Sequence, residues 1–276
     1  MNATKILRCF RSMRRPVALC SLAFGLLLLP CALSAEEQAG VSIRTRSEAL
    51  EPGEILTYDV SWSNIVTAGT AIMEIKEEAL PDGDQVLRFI VTTRSVGLVK
   101  KFYRVNDRLE SVFDPKIMQS LTFNLDQSHG KKKKRRELVF DHEKKTVTST
   151  LNNNPPETFT IPDETQDALS SLYYLRTRAD FIVGKPITLQ VHDSGKTWAV
   201  EIQTLGKEKV RTPAGKFNTI KVRTFPKYEG VFMNKGEIFV WFTDDSRRIP
   251  VLMQSTISIG SIVSTLTKRE PGKDMQ

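Results

Sequence analysis

The sequence predicts a mainly β protein, a large antiparallel sheet, sandwich or barrel with one amphipathic helix laid on it, and three observations carry that expectation. From residue 54 onward the chain consists of short runs of β-branched and aromatic residues, several alternating with polar or small ones at the period of two that marks a half-buried strand. Turn-forming clusters separate these runs at roughly the spacing of large antiparallel folds. One stretch breaks the pattern, "PDETQDALSSLYYLRTRADF", whose apolar residues recur at helical spacing.

In chain order, "ILTYDVSW" sets Leu56, Tyr58, Val60 and Trp62 on one face of a first strand. "AGTAIMEIKEE" and "DQVLRFIVTTR", divided by Pro81, Asp82 and Gly83, read as a hairpin. In "SVGLVKKFY", Val99, Phe102 and Tyr103 suit a single helical turn or a loop pressed onto the core. "RLESVFD", "SLTFNLDQ", "RRELVFDHE" and "TVTSTLN" continue the strands up to the helix. There Ala168, Leu169, Leu172 and Tyr173 form the apolar stripe, Asp163 caps the start with Gln166 three residues on, and Arg176 and Arg178 suit the negative end of the helix dipole. Strand patterns resume with "PITLQVHD", "TWAVEIQTLG", "KEKVRTP", "FNTIKVRTF", "GVFMN", "GEIFVWFTDD", "VLMQSTISIG" and "SIVSTLTKR". No repeat of solenoid length is present.

The N-terminus has a different character. Lys5, Arg8, Arg11, Arg14 and Arg15 precede an uncharged apolar run from Val17 to Leu29, too short to span a bilayer and followed by the small residues of "CALSAEE". This is the layout of a cleaved export signal, with the cut after Ser34 or Ala35. Pro16 and Val17 depart from the twin-arginine pattern, and Pro30 before Cys31 fits a lipoprotein cleavage site poorly, so lipid anchoring at Cys31 is the lesser alternative. The expected organisation is a signal peptide over 1–35, a flexible segment over 36–51, a single β-rich domain over 52–267 and a disordered tail over 268–276, in a protein of the periplasm. Cys9, Cys20 and Cys31 are the only cysteines, so the mature chain has no disulfide and no thiolate chemistry. Losing the signal lowers the formal charge from +8 to +3, leaving 35 Lys and Arg against 32 Asp and Glu. The remaining basicity is local.

"GEILTYDVSW", "FYRVNDRLESVFD", "QDALSSLYYLR", "GKFNTIKV" and "VWFTDDSRRIPVLM" follow one another in an order that resembles the exported bacterial family catalogued as domain of unknown function (DUF) 3108, over most of residues 52–267. The resemblance implies a large curved antiparallel sheet or half-open barrel, with the one amphipathic helix packed on it, of the kind seen in periplasmic lipoprotein carriers. It implies no activity.

Motifs for chemistry are sparse. His129, His142 and His192 are the only histidines and stand in no metal-binding spacing, so each reads as a surface or hydrogen-bonded residue. Asp244 and Asp245, before Arg247 and Arg248 in "TDDSRRIP", have the composition of a tight turn with a cross-strand ion pair rather than of an acid/base couple. No G-x-S-x-G elbow is present, and "SGKT" at residues 194–197 lacks the first glycine of a phosphate loop, with Gln190 in its place. No catalytic residue, metal site or cofactor is expected.

Two groups of residues remain as site candidates. Trp62, Phe102, Tyr103, Tyr173 and Trp241 are placed either to fill the concave side of a curved sheet or to line a pocket for an acyl chain. Lys131, Lys132, Lys133, Lys134, Arg135 and Arg136, introduced by Gly130 between two strands, suit a solvated hairpin edge or a contact with an anionic membrane surface; export argues against nucleic acid. The functional expectation is a non-catalytic envelope protein that binds a lipid or other amphiphile in a concave apolar pocket. A structural scaffold acting through protein contacts, with partners the sequence does not name, is the alternative, and an enzyme acting on envelope glycans comes third.

Overall fold

Residues 46–178, 181–228, 231–232, 237–256 and 260–272 are described by the computed structural model. The signal-like segment, its cleavage positions and Cys31 lie outside the described residues. The chain divides into two units, Met1–Gly40 and Val41–Gln276, and all of the described residues belong to the second.

Alternation from Ile55 to Glu270 produces sixteen strands among the described residues: β1 (Ile55–Trp62), β2 (Val66–Ala79), β3 (Gln85–Ser95), β4 (Val105–Asp114), β5 (Gln119–His129), β6 (Lys132–Asp141), β7 (Thr146–Leu151), β8 (Glu157–Thr160), β9 (Gln166–Asp167), β10 (Ile187–Asp193), β11 (Lys196–Thr212), β12 (Gly215–Tyr228), β13 (Val231–Phe232), β14 (Ile238–Thr243), β15 (Pro250–Thr256) and β16 (Ser261–Glu270). Three short helices accompany them, α1 (Arg46–Ala49), α2 (Gly97–Phe102) and α3 (Ser170–Thr177). All the strands belong to one sheet, in the order β8-β7-β6-β5-β4-β3-β2-β1-β16-β15-β14-β12-β11-β10-β9, with β13 paired to β12 off this path. Every pairing is antiparallel except β9 with β10.

This sheet has to curl. Laid flat, fifteen strands about 4.8 Å apart would put the edge strands β8 and β9 nearly 70 Å from each other. Only residues 161–165 join them, a connection that reaches about 20 Å at full extension. The sheet therefore bends round until its edges meet. Side chains close the seam: Arg136 Nη1 on β6 donates to Ser194 Oγ in the β10–β11 turn at 2.6 Å, and the Phe159 ring of β8 lies 5.6 Å from the His192 ring of β10.

Helix α3 packs inside the curl. Tyr173 is fully buried and stacks on Phe89 of β3 at 3.9 Å with a 9° interplanar angle, and Phe89 meets Phe113 of β4 at 5.3 Å. Both ends of the helix are polar and both are buried. At its start, Asp167 Oδ1 accepts from the backbone N–H of Leu169 (2.6 Å) and of Ser170 (2.8 Å). Its Oδ2 accepts from Ser111 Oγ (2.6 Å) and Ser120 Oγ, on β4 and β5. Burial pushes the Asp167 carboxyl above its ordinary value, and these hydrogen bonds offset the rise only in part. At its end, Arg176 Nη1 and Nη2 donate to the two oxygens of Glu54 at 2.7 and 2.9 Å, and Nε donates to Arg247 O at 3.2 Å. Burial alone would lower the Arg176 pKa, but Glu54 outweighs it and holds the guanidinium above its ordinary value.

Four expectations are corrected by these elements. Gln166 and Asp167 pair with Val191 and His192 of β10 instead of opening the helix, so α3 starts at Ser170, is capped from Asp167, and leaves Asp163 to an ion pair with Lys145 at 2.8 Å. The segment expected to be flexible up to residue 51 includes α1, and Ala49, Leu50 and Glu51 are buried because the two apolar residues join the core. The tail expected to be disordered from 268 is strand as far as Glu270, where β16 pairs with Ile55 of β1. "TWAVEIQTLG" and "KEKVRTP" form the one strand β11, with a register irregularity between Thr204 and Gly206. The stretch around "SVGLVKKFY" does form a single helical turn, α2.

Replacing Arg176 by Met leaves Glu54 as an uncompensated buried charge and is expected to destabilise the fold by about 3–5 kcal/mol, read from urea denaturation. Combining it with Glu54→Leu should recover most of that loss, because the charge is then removed along with its partner.

Candidate functional site

The short α3 leaves space beside it. Between the helix and the half of the sheet running from β10 to β15 lies a half-open cavity of about 210 Å³. Ala168, just ahead of α3, and Ser171, Leu172 and Leu175 on it supply one wall; Ala168 and Leu172 belong to the apolar stripe expected from the sequence, and Leu175 adds to it. The opposite wall is built from Leu189 and Val191 on β10, Val200 and Ile202 on β11, and Thr224 on β12. Ile238 and Val240 on β14 and Met253 on β15 complete it. These residues share a face because side chains alternate along each strand: Val200 and Ile202, or Ile238 and Val240, are two apart. Cross-strand register aligns them, with Leu189 opposite Val200, Ile202 opposite Thr224, Thr224 opposite Ile238, and Val240 opposite Met253. No lining residue is charged, and the polar groups present are the hydroxyls of Ser171 and Thr224.

None of the five aromatic pocket candidates lines this groove. Tyr173 faces the other way, into the stack with Phe89. Trp241 is buried on the face of β14 opposite to Val240, where its Nε1 donates to Glu208 and Lys221 Nζ sits 4.6 Å from its ring centroid. Trp62, Phe102 and Tyr103 are surface residues, 40%, 87% and 53% exposed, so they line no concave core. Aromatic content was the wrong signal for this pocket. Its lining is aliphatic, and the visible sequence cue was alternation within "PITLQVHD", "WAVEIQ" and "EIFVWF" together with the helix stripe.

The basic run divides. Gly130, with φ of 61°, and Lys131 make the tight β5–β6 turn, which pairs His129 with Lys132. Lys131, Lys132, Lys133 and Arg135 are exposed and Lys134 is half-buried. Arg136 is buried, held at the seam by Ser194 and by Asp193 at 3.4 Å. It is a structural residue, separate from the other five.

The remaining polar candidates have local partners. Asp245 Oδ1 accepts from Thr243 Oγ1 (2.6 Å) and from the N–H of Arg247 (3.1 Å) and Arg248 (3.2 Å), while Asp244 bonds Lys207 of β11 at 2.7 Å. Asp244 is held below the ordinary carboxylate range, chiefly by the hydrogen bond from Lys207. Asp245 is also lowered, because Thr243 and Arg247 together outweigh the effect of burial. "TDDSRRIP" is thus a turn with a cross-strand ion pair. His129 bonds Asp107 at 2.8 Å, His142 Nε2 donates to Ser120 O at 2.6 Å, and His192 Nδ1 lies 3.0 Å from Thr197 Oγ1. Burial holds the His192 imidazole below its ordinary value, against the weaker opposing pull of Asp193, and its Nε2 has no hydrogen-bond partner among the described residues. A second hollow, of about 270 Å³ along the β11–β12 hairpin, is edged by the charged residues Lys209, Arg211 and Lys216.

Comparison with known proteins agrees with this architecture. The model of the family described as "Protein of unknown function (DUF3108)" matches residues 57–267. The β-barrel-like protein of domain of unknown function DUF1849 from Brucella abortus superposes with a TM-score of 0.56 at 15% identity, covering 81% of this chain and 98% of that one. A Bacteroides fragilis protein described as exported, with a YmcC-like fold, is similar at a TM-score of 0.36 and 11% identity, covering 80% of this chain and 97% of its own. No curated protein matches the chain.

His192 makes stability depend on pH in a definite direction. Because its folded pKa lies below the unfolded value of about 6.5, its contribution is complete above that pH. As pH falls further, the unfolded chain takes up a proton that the folded imidazole refuses. Wild-type stability should decline relative to His192→Leu between pH 7 and pH 5, by at most about 1.4 kcal/mol per pH unit, in parallel urea titrations.

Proposed function

We propose that this chain, which belongs to the family of proteins of unknown function DUF3108, is a non-catalytic protein of the bacterial envelope that holds one apolar chain of an amphiphile in the groove between α3 and the sheet. The observation that carries this reading is the charge-free, half-open lining of a 210 Å³ cavity. A packed core would fill that space, and a catalytic cleft would bring ionisable groups into it. The volume is below the usual 300–1,000 Å³ of a site that encloses a whole ligand, which suits an acyl chain that enters while its headgroup stays outside. Compartment and ligand class fit each other, since the basic and apolar N-terminus has the layout of an export signal, which would direct the protein to a space bounded by lipid.

Magnitudes favour exchange over storage. Burying about half a dozen methylenes at ~0.8 kcal/mol each gives ~5 kcal/mol, a dissociation constant on the order of 100 µM. Such a ligand can be taken up and released without a reaction to drive it.

Native mass spectrometry of the exported form, incubated with lysophospholipid or a long-chain fatty acid, is expected to show a one-to-one adduct. Leu172→Trp, which places an indole in the groove from its helical wall, should weaken that binding roughly tenfold while leaving the melting temperature within a few degrees of wild type. A bare mass under all conditions, with Leu172→Trp making no difference, would move the assignment to the scaffold reading.

A further inference from the structure

Successive antiparallel strands return alternate connections to the same end of a sheet. The β1–β2 turn, the β3–β4 connection containing α2, and the β5–β6 turn therefore lie together at one end. They also touch one another: Val96 N donates to Ala68 O at 3.1 Å, Gly130 N donates to Arg104 O at 2.7 Å, and the rings of Tyr103 and His129 are 6.0 Å apart.

The composition of this end is one-sided. Residues 59–70, 94–107 and 126–136 contain ten Lys and Arg, four in the second segment and six in the third, against three Asp: Asp59, Asp107, which bonds His129, and Asp126, which pairs with Arg135. Lys100, Lys101, Arg104, Lys131, Lys132 and Lys133 form no ion pair among the described residues. Set among them are large apolar side chains open to solvent, with Phe102 87% and Ile65 77% exposed, together with Trp62, Val66 and Tyr103.

Lysines alone would be explained by the sheet edge. β7 pairs with β6 only from Arg136 onward, so Lys132, Lys133 and Lys134 border an open edge that their charge protects from pairing with another chain. That account leaves the apolar residues unexplained, since they gather at one end of the sheet as a patch instead of being scattered singly. Aromatic and aliphatic side chains flanked by unpaired cations form the pattern of a membrane interface, where the rings enter the headgroup region and the cations meet phosphate.

We propose that this end of the sheet docks on an anionic phospholipid bilayer, with Ile65, Phe102 and Tyr103 entering the interface and Lys100, Lys101, Arg104, Lys131, Lys132 and Lys133 lying against the phosphates. Register connects the surface to the groove. Trp62 pairs with Ile262, Ile262 with Ser255 and Ser255 with Ile238, so the Ile238 side of the groove lies three strands, about 15 Å, from Trp62 along one cross-strand row. A docked molecule would present that side of the groove toward the lipid. This last step rests on the preceding functional reading, whereas the docking surface does not.

The test is flotation of the form beginning at Glu36 with vesicles of phosphatidylcholine alone or mixed with phosphatidylglycerol. Binding is expected to the mixed vesicles only and to weaken as salt rises. Lys131→Ser, Lys132→Ser and Lys133→Ser together should weaken it on the order of 100-fold, and Phe102→Ser alone roughly tenfold. Lys209→Ser, Arg211→Ser and Lys216→Ser, at the opposite end of the sheet, remove the same number of charges and should change nothing. Equal loss in both triple variants would reduce the effect to net charge and overturn the proposal, as would binding that ignores salt, lipid charge or Phe102. Leu172→Trp should float like wild type, which separates a failure of the groove reading from a failure of this one.

Discussion

Helix α3 lies inside a sheet whose two edges are tied together by five residues, so neither of its ends can be left to water. A helix terminus leaves several backbone groups without intrahelical partners, and here the sheet has to supply the compensation. It does so at the start through Asp167, which links the first N–H groups of the helix to hydroxyls on β4 and β5. It does so at the end through Arg176, which joins the helix to Glu54 and to the carbonyl of Arg247. Ordinary burial of Tyr173 and Leu175 attracts the helix to the core but leaves its position along its own axis loosely set. The two polar anchors set that position.

The groove follows from the same arrangement. Eight residues make a helix only about 12 Å long, while β11 and β12 run for 17 and 14 residues across the same concavity. The anchors hold this short helix against β3 and β4, where the Phe89–Tyr173 stack lies, and its other side cannot also close on β10 to β15. A helix beginning at Asp163 would have covered more of the sheet. Pairing of Gln166 and Asp167 with β10 shortened it and left aliphatic surface on both sides of a gap.

Strand content and turn positions were legible in the sequence because each depends on residues close together. The turn at residues 81–83, the Gly130 turn and the "TDDSRRIP" turn are local chemistry, and all three are turns in the structure. The helix start was misread because Asp163 and Gln166 satisfy the capping pattern locally, whereas the actual cap, Asp167, is chosen by contacts 47 and 56 residues away in Ser120 and Ser111. Arg176 shows the same limit: its place near a helix C-terminus suits the helix dipole, but only the return of Glu54 across 122 residues makes it an interior residue with a buried partner. Phe102 and Tyr103 were misplaced in the opposite sense. Hydrophobicity predicts burial on average, and nothing in "KKFYR" marks the β3–β4 connection as one that turns its rings outward.

The pairing of β1 with β16 has a further implication, for the order of events as the chain matures. The first long strand finds its neighbour at the far end of the sequence, and Thr267 Oγ1 donates to Thr57 O across 210 residues. The β1–β8 meander can form from local contacts, as can the β10–β12 ribbon, but the sheet remains in two pieces until the last strand arrives. Contacts of such sequence separation are slow to close, and chains that wait for them keep apolar surface and unpaired edges exposed in the meantime. A polypeptide made from its N-terminus would thus carry an open edge on β1 until its last strand converts two partial sheets into one.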